Sequence, residues 1–117
     1  MFDKHIDRRE DAMKSRSIYA AIPQNLPEEI LETIVAGNSV NIERIISKGH
    51  TSPQSGWYDQ EKNEWVLVLK GKALLAFADE PSIYLNSGEY INIPAHKKHK
   101  VTWTDPETAT IWLAVHY

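Results

Sequence analysis

From Ile18 onward the chain is a succession of short apolar runs separated by turn residues, and this punctuation limits what it can fold into more than any other feature. The breaks fall at Pro23 to Pro27, Gly37-Asn38-Ser39, Lys48 to Gly56, Lys70-Gly71-Lys72, Asp79-Glu80-Pro81, Asn86-Ser87-Gly88 and Asp105-Pro106-Glu107. A spacing of roughly 8–15 residues between them predicts many short antiparallel strands. Thr33 to Ala36 and Val40 to Ile46 flank a Gly-Asn-Ser turn as a hairpin. Trp65 to Leu69 and Ala73 to Phe77 flank Lys70-Gly71-Lys72 as a second hairpin, apolar on both faces, which requires a barrel interior on one side and other protein on the other. Helix competes only in the N-terminal arm and from Pro27 to Thr33, where Pro at a first helical position followed by acids suits one turn. The expected fold is therefore all-β, a barrel or sandwich with a short N-terminal attachment.

The chain has 117 residues, enough for one domain, and Lys+Arg 13 against Asp+Glu 16 gives 13 − 16 = −3. This mildly acidic balance argues against nucleic acid as a principal partner. The cluster Lys97, Lys98 and Lys100 around His99 reads as a solvated loop edge. There is no Cys, which excludes disulfide and thiolate chemistry and fits a reducing, cytoplasmic setting. Residues 1–17 carry nine charges and no apolar stretch of signal-peptide type, so they are expected to be a flexible or marginally helical arm, with the barrel domain spanning 18–117. Met13 offers a second plausible start within that arm. No apolar run approaches the roughly 20 residues needed to span a bilayer, so no membrane partner is expected.

Two stretches carry chemistry. Glu64 is followed after six residues by Gly71, and Gly88-Glu-Tyr-Ile-Asn-Ile-Pro94-Ala-His96-Lys-Lys-His99 places a Pro six positions after a Gly and a His five positions after that. This pattern resembles the cupin superfamily over roughly residues 40–117. The resemblance implies a jelly-roll barrel with a pocket between its sheets, often holding Fe, Mn, Ni or Zn through three His and one Glu. In the family an HxH pair stands a few residues before the Glu; here the stretch is Trp57-Tyr58-Asp59-Gln60-Glu61-Lys62-Asn63-Glu64. Carried over, Glu64 and His99 are matched ligands, Asp59 a substitute and Trp57 a lost one. Two carboxylates and an imidazole would suit a hard-leaning divalent ion such as Mn, Fe or Zn.

Other readings stay open. Glu64 and His99 could form an ion pair without metal, and a shift of one residue would turn Tyr58 and Gln60 inward instead of Trp57 and Asp59. His96, where the family has Gly, is expected to be a turn residue tolerating a positive φ. His50 lies in a loop within reach of the pocket mouth, His116 reads as structural, and His5 in the arm is uninformative. Trp57, Tyr58 and Trp103 are candidates for an apolar wall facing a small organic ligand. The function expected is a metal-binding cupin that acts on or senses a small polar organic molecule. The alternatives are a metal-free ligand-binding module and a non-catalytic partner subunit. A homodimer is expected because Trp65 to Leu69 and Ile111 to Val115 are apolar on both faces.

Overall fold

Runs rich in Val, Ile, Leu and Trp, each cut short by Gly, Pro, Asn or Asp, become eight strands in a computed structural model that describes residues 13–117. They are β1 (Ile30–Ala36), β2 (Asn41–Ser47), β3 (Glu64–Lys70), β4 (Lys72–Phe77), β5 (Ile83–Asn86), β6 (Tyr90–Ile93), β7 (His99–Thr104) and β8 (Thr110–His116). All pairings are antiparallel, in one sheet of order β1-β2-β8-β3-β6 and a second of order β5-β4-β7. The two sheets enclose one core of Val66, Val68, Ala73, Leu75, Leu85, Ile93, Trp112 and Ala114, drawn from both. This is the expected all-β jelly-roll architecture. Most of the expected arm, residues 1–12, lies outside the described residues, and no helix among those described is long and apolar enough to cross a membrane.

The first hairpin is as expected: β1 and β2 pair around the Gly37 turn, where the Gly37 amide donates to the Val40 carbonyl at 2.8 Å. The second is corrected. β3 and β4 do not pair with each other; β3 pairs with β6 and β8, whereas β4 pairs with β5 and β7. Lys70-Gly71-Lys72 is a crossover between sheets, and two strands apolar on both faces are compatible with this as well as with a hairpin. The helical turn from Pro27 to Thr33 is corrected too, because β1 begins at Ile30. The acids and Pro27 instead serve the barrel: Ser47 Oγ donates to Glu29, and His50 Nε2 donates to the Pro27 carbonyl at 3.2 Å.

Gly71 sits at φ 94°, and a Cβ there would lie 2.6 Å from Thr110 Cα. Thr110 in turn bridges Lys72, its hydroxyl accepting from the amide and donating to the carbonyl, each at 3.3 Å. On the outer face of the larger sheet Arg44 is buried and reaches Glu32 and the carbonyls of Ile18 and Ala20, so it anchors the segment preceding β1. Alternation along β3 and β8 turns Trp65, Leu67, Leu113 and Val115 to that same outer face, where they are half-buried.

Two outcomes are expected. Gly71→Ala should lower the unfolding free energy by about 2 kcal/mol or more, from the backbone clash together with the left-handed conformation, measurable by urea denaturation; a change within about 0.5 kcal/mol would show that Thr110 yields freely. The outward apolar row predicts pairing of two copies, so light scattering should give twice the 13.4 kDa chain mass, and a stable species at the single-chain mass would overturn this.

Candidate functional site

A cavity of about 240 Å³ opens between the two sheets. Its floor is apolar, built from Val66 of β3, Leu75 of β4, Ile93 of β6 and Trp112 of β8, each buried to within a few per cent. Into this apolar shell the strands deliver four ionisable groups. Glu64 opens β3 and His99 opens β7, so the pair comes from opposite sheets; Nε2 of His99 lies 3.3 Å from Oε1 of Glu64. His116 is the direct cross-strand partner of Glu64, which puts both on one face of the larger sheet, and its Nε2 lies 3.8 Å from Glu64 Oε2. The same Nε2 lies 3.2 Å from Oε1 of Glu43, inward-facing on β2 two residues from Ile45. Carboxylate and imidazole thus alternate along the line Glu43, His116, Glu64, His99.

His99 is oriented from behind. Its Nδ1 donates to the Lys97 carbonyl at 2.7 Å, which can only accept, so Nδ1 carries a proton and Nε2 presents the titrating position to Glu64. Burial by itself would push this imidazole toward lower pKa. The hydrogen bond to Glu64, the bond to the Lys97 carbonyl and the charge of Glu64 outweigh burial and hold the pKa above the ordinary 6.5.

The expected site residues divide sharply. Glu64, His99 and Tyr58 line the cavity; Asp59, Trp57, Trp103 and His50 do not. Tyr58 exchanges backbone hydrogen bonds with His99, N to O at 2.9 Å and 3.2 Å, and this bridge sets the register that turns Tyr58 and Gln60 inward. Asp59 therefore faces the other way and bonds His96 Nδ1 at 2.7 Å. His96 itself takes φ 64°, the turn conformation expected of it. Trp57 is stacked under Lys100, whose Nζ is 4.5 Å from the ring, in a separate shallow depression. Trp103 is turned outward by an irregularity in the β4–β7 ladder, where Leu74 pairs with Trp103 but Leu75 with Val101, leaving Thr102 as the extra residue. It meets Tyr84 edge-on at 6.2 Å on the outer surface. His50 spends both ring nitrogens locally, Nδ1 accepting from the Lys48 amide at 2.9 Å and Nε2 donating to Pro27.

Sequence reading missed Glu43 and treated His116 as structural. The signal was parity: His116 falls two and four residues beyond Ala114 and Trp112, the buried face of β8. Gln60 and Trp112 also line the cavity, and Gln60 Oε1 and Trp112 Nε1 are buried without a hydrogen-bond partner. Each such orphan costs about 1–3 kcal/mol relative to a satisfied group.

With Asp59 directed away, the metal-ligand set expected from the resemblance is incomplete. In the inward register the residues before Glu64 are a phenol and a carboxamide, Tyr58 and Gln60, in place of two imidazoles. Among the described residues no group of three or more His, Asp or Glu side chains is placed to hold a metal ion. The ligand set implied by the resemblance, Asp59 with Glu64 and His99, is therefore not assembled, and the ionisable groups that do meet in the cavity, Glu43, His116, Glu64 and His99, are paired carboxylate to imidazole with one another.

The sequence matches the model of the Cupin domain over residues 43–116. A candidate mannose-6-phosphate isomerase from Ralstonia eutropha JMP134 is 37% identical in sequence and superposes with a TM-score of 0.85, over 89% of this chain and 97% of that one. A cupin superfamily protein from Desulfitobacterium hafniense DCB-2 shares the fold at 19% identity and TM-score 0.67, over 81% of this chain and 82% of that one. So does a cupin family protein with a double-stranded β-helix fold from Methanocaldococcus jannaschii, at 16% identity and TM-score 0.64, over 82% and 85%. No curated protein matches the sequence.

The raised pKa of His99 sets a direction for stability. A group whose pKa is higher folded than unfolded contributes fully below its unfolded value and loses that contribution as pH rises through the folded one. Stability from this pair should therefore be complete below about pH 6.5 and decline above it. Denaturant midpoints taken from pH 6 to pH 9 should show that decline in the parent and a flatter profile in Glu64→Gln; identical profiles would remove the pair from the account.

Proposed function

The chain belongs to the cupin family, and from that premise we propose that its barrel cavity binds a small polar organic molecule directly, without a metal ion, through the carboxylate and imidazole groups at its deep end. The observation that carries this reading is the alternating line Glu43, His116, Glu64, His99 set among apolar lining residues, with Glu64 and His99 buried and Glu43 and His116 partly so. Charged groups are costly to bury, and a barrel whose interior served only as structure would be better filled by aliphatic side chains.

The chain's own residues suit two tasks there. Protonated His99, its ring held by the Lys97 carbonyl, donates from Nε2 to a ligand oxygen, while Glu64 and Glu43 accept from ligand hydroxyls. An acid and a base in one cavity also meet the requirement for moving a proton at a carbon beside a carbonyl. Likeness to the Ralstonia eutropha protein supports a sugar-like ligand for this cavity.

Elemental analysis of protein purified without a metal-affinity step should find no stoichiometric Mn, Fe, Ni or Zn. In thermal-shift measurements against a panel of pentoses and hexoses, the stabilisation should survive EDTA and be lost in Glu64→Gln. A metal near one per chain whose removal abolishes ligand binding would overturn the proposal.

A further inference from the structure

Resting on the metal-free reading above, we propose that the cavity selects an uncharged polyol of monosaccharide size and rejects the phosphorylated form of the same molecule. The lining contains three carboxylates, Glu29 toward the mouth and Glu43 and Glu64 deeper, against two imidazoles, His99 and His116. Even with both imidazoles protonated the formal charge is 2 − 3 = −1, and it falls to −3 when both are neutral. With its three carboxylates ionised the cavity is anionic whichever state the imidazoles take. Among the described residues no Lys or Arg lines it.

Of the basic side chains near the site in sequence, Lys62 and Lys98 are exposed and outside the lining, and three others are committed elsewhere. Lys97 is paired with Asp79 and Glu80, Lys100 lies over Trp57 and donates to the Gln54 carbonyl, and Arg44 is held on the outer face by Glu32. A phosphate dianion entering here would meet more carboxylate charge than the imidazoles can balance and no Lys or Arg, whereas phosphate sites are built from Arg, Lys or rows of backbone N–H groups. Like charges brought together in a partly desolvated site disfavour binding steeply.

A neutral polyol meets none of that repulsion. Each hydroxyl both donates and accepts, which matches a wall where carboxylates accept and imidazolium and the Tyr58 phenol donate. An organic ammonium is not repelled by this charge, so an amino sugar is the control that separates attraction of a cation from recognition of a neutral polyol. In size, 240 Å³ corresponds to roughly eight water molecules. A monosaccharide suits a space of that size, and a phosphate on it has no lining Lys or Arg to reach.

The test is calorimetric titration at pH 7.5 with aldoses and ketoses of five and six carbons, their 5- or 6-phosphates, and glucosamine as the cationic control. Free sugars should bind at least tenfold more tightly than their phosphates. Raising the salt concentration should narrow that gap, and Glu29→Gln, which removes one lining carboxylate charge, should narrow it at constant salt. Phosphates binding as well as or better than free sugars without added metal would overturn the selectivity and leave the metal-free pocket standing. Binding of glucosamine alone, or of no sugar at all, would overturn the polyol assignment. Sugar binding that appears only after Mn or Zn is added would instead bring down the metal-free reading on which the selectivity rests.

Discussion

Everything in the site depends on the chain changing sheets at Gly71. A residue with a side chain cannot occupy that position without striking Thr110 at the start of β8, and the close approach lets Thr110 bond both backbone groups of Lys72. Because β3 ends in one sheet and β4 begins in the other, Glu64 and His99 arrive from opposite walls and meet inside. A hairpin at the same place would have left the two sheets without this connection. The chemistry of the pocket is thus a consequence of backbone geometry about seven residues downstream of its central carboxylate.

Burial and charge are balanced along a single line of side chains. Two carboxylates and two imidazoles in an apolar shell would each be expensive alone, and alternation gives each a partner. The line ends on a backbone carbonyl at Lys97, which orients His99 and keeps a proton on its far nitrogen. Glu29 stands apart from this balance near the mouth, bound by Ser47, and gives the cavity its residual negative character.

Some of this was legible before any coordinates. Short punctuated runs were enough to define an all-β fold, the Gly37 turn was enough to define the first hairpin, and the Glu-to-Gly and Gly-Pro-His spacings led to Glu64 and His99. His96 was readable as a turn residue because few side chains other than Gly tolerate its φ of 64°. The choice between Trp57 with Asp59 and Tyr58 with Gln60 was not readable. Both registers satisfy the alternation of a short extended segment, and only the backbone bridge from Tyr58 to His99, 41 residues on in sequence, decides between them. Trp103 was misplaced for a related reason: one extra residue at Thr102 inverts the face of everything beyond it, and nothing local to the strand announces such a bulge.

What the sequence determined by itself is therefore local: where strands stop, which positions need Gly or a tolerated left-handed turn, and which pattern of spacings joins two of the ionisable residues to one pocket. These follow from φ preferences and hydrophobic period, which act within a few residues. The tertiary structure alone decided which neighbours share that pocket. It brought in Glu43 and His116, turned Asp59, Trp57 and Trp103 away, and left the lining without Lys or Arg among the described residues. Those outcomes depend on pairing between strands distant in sequence, and a side chain's face is set by the register of its partner as much as by its own strand.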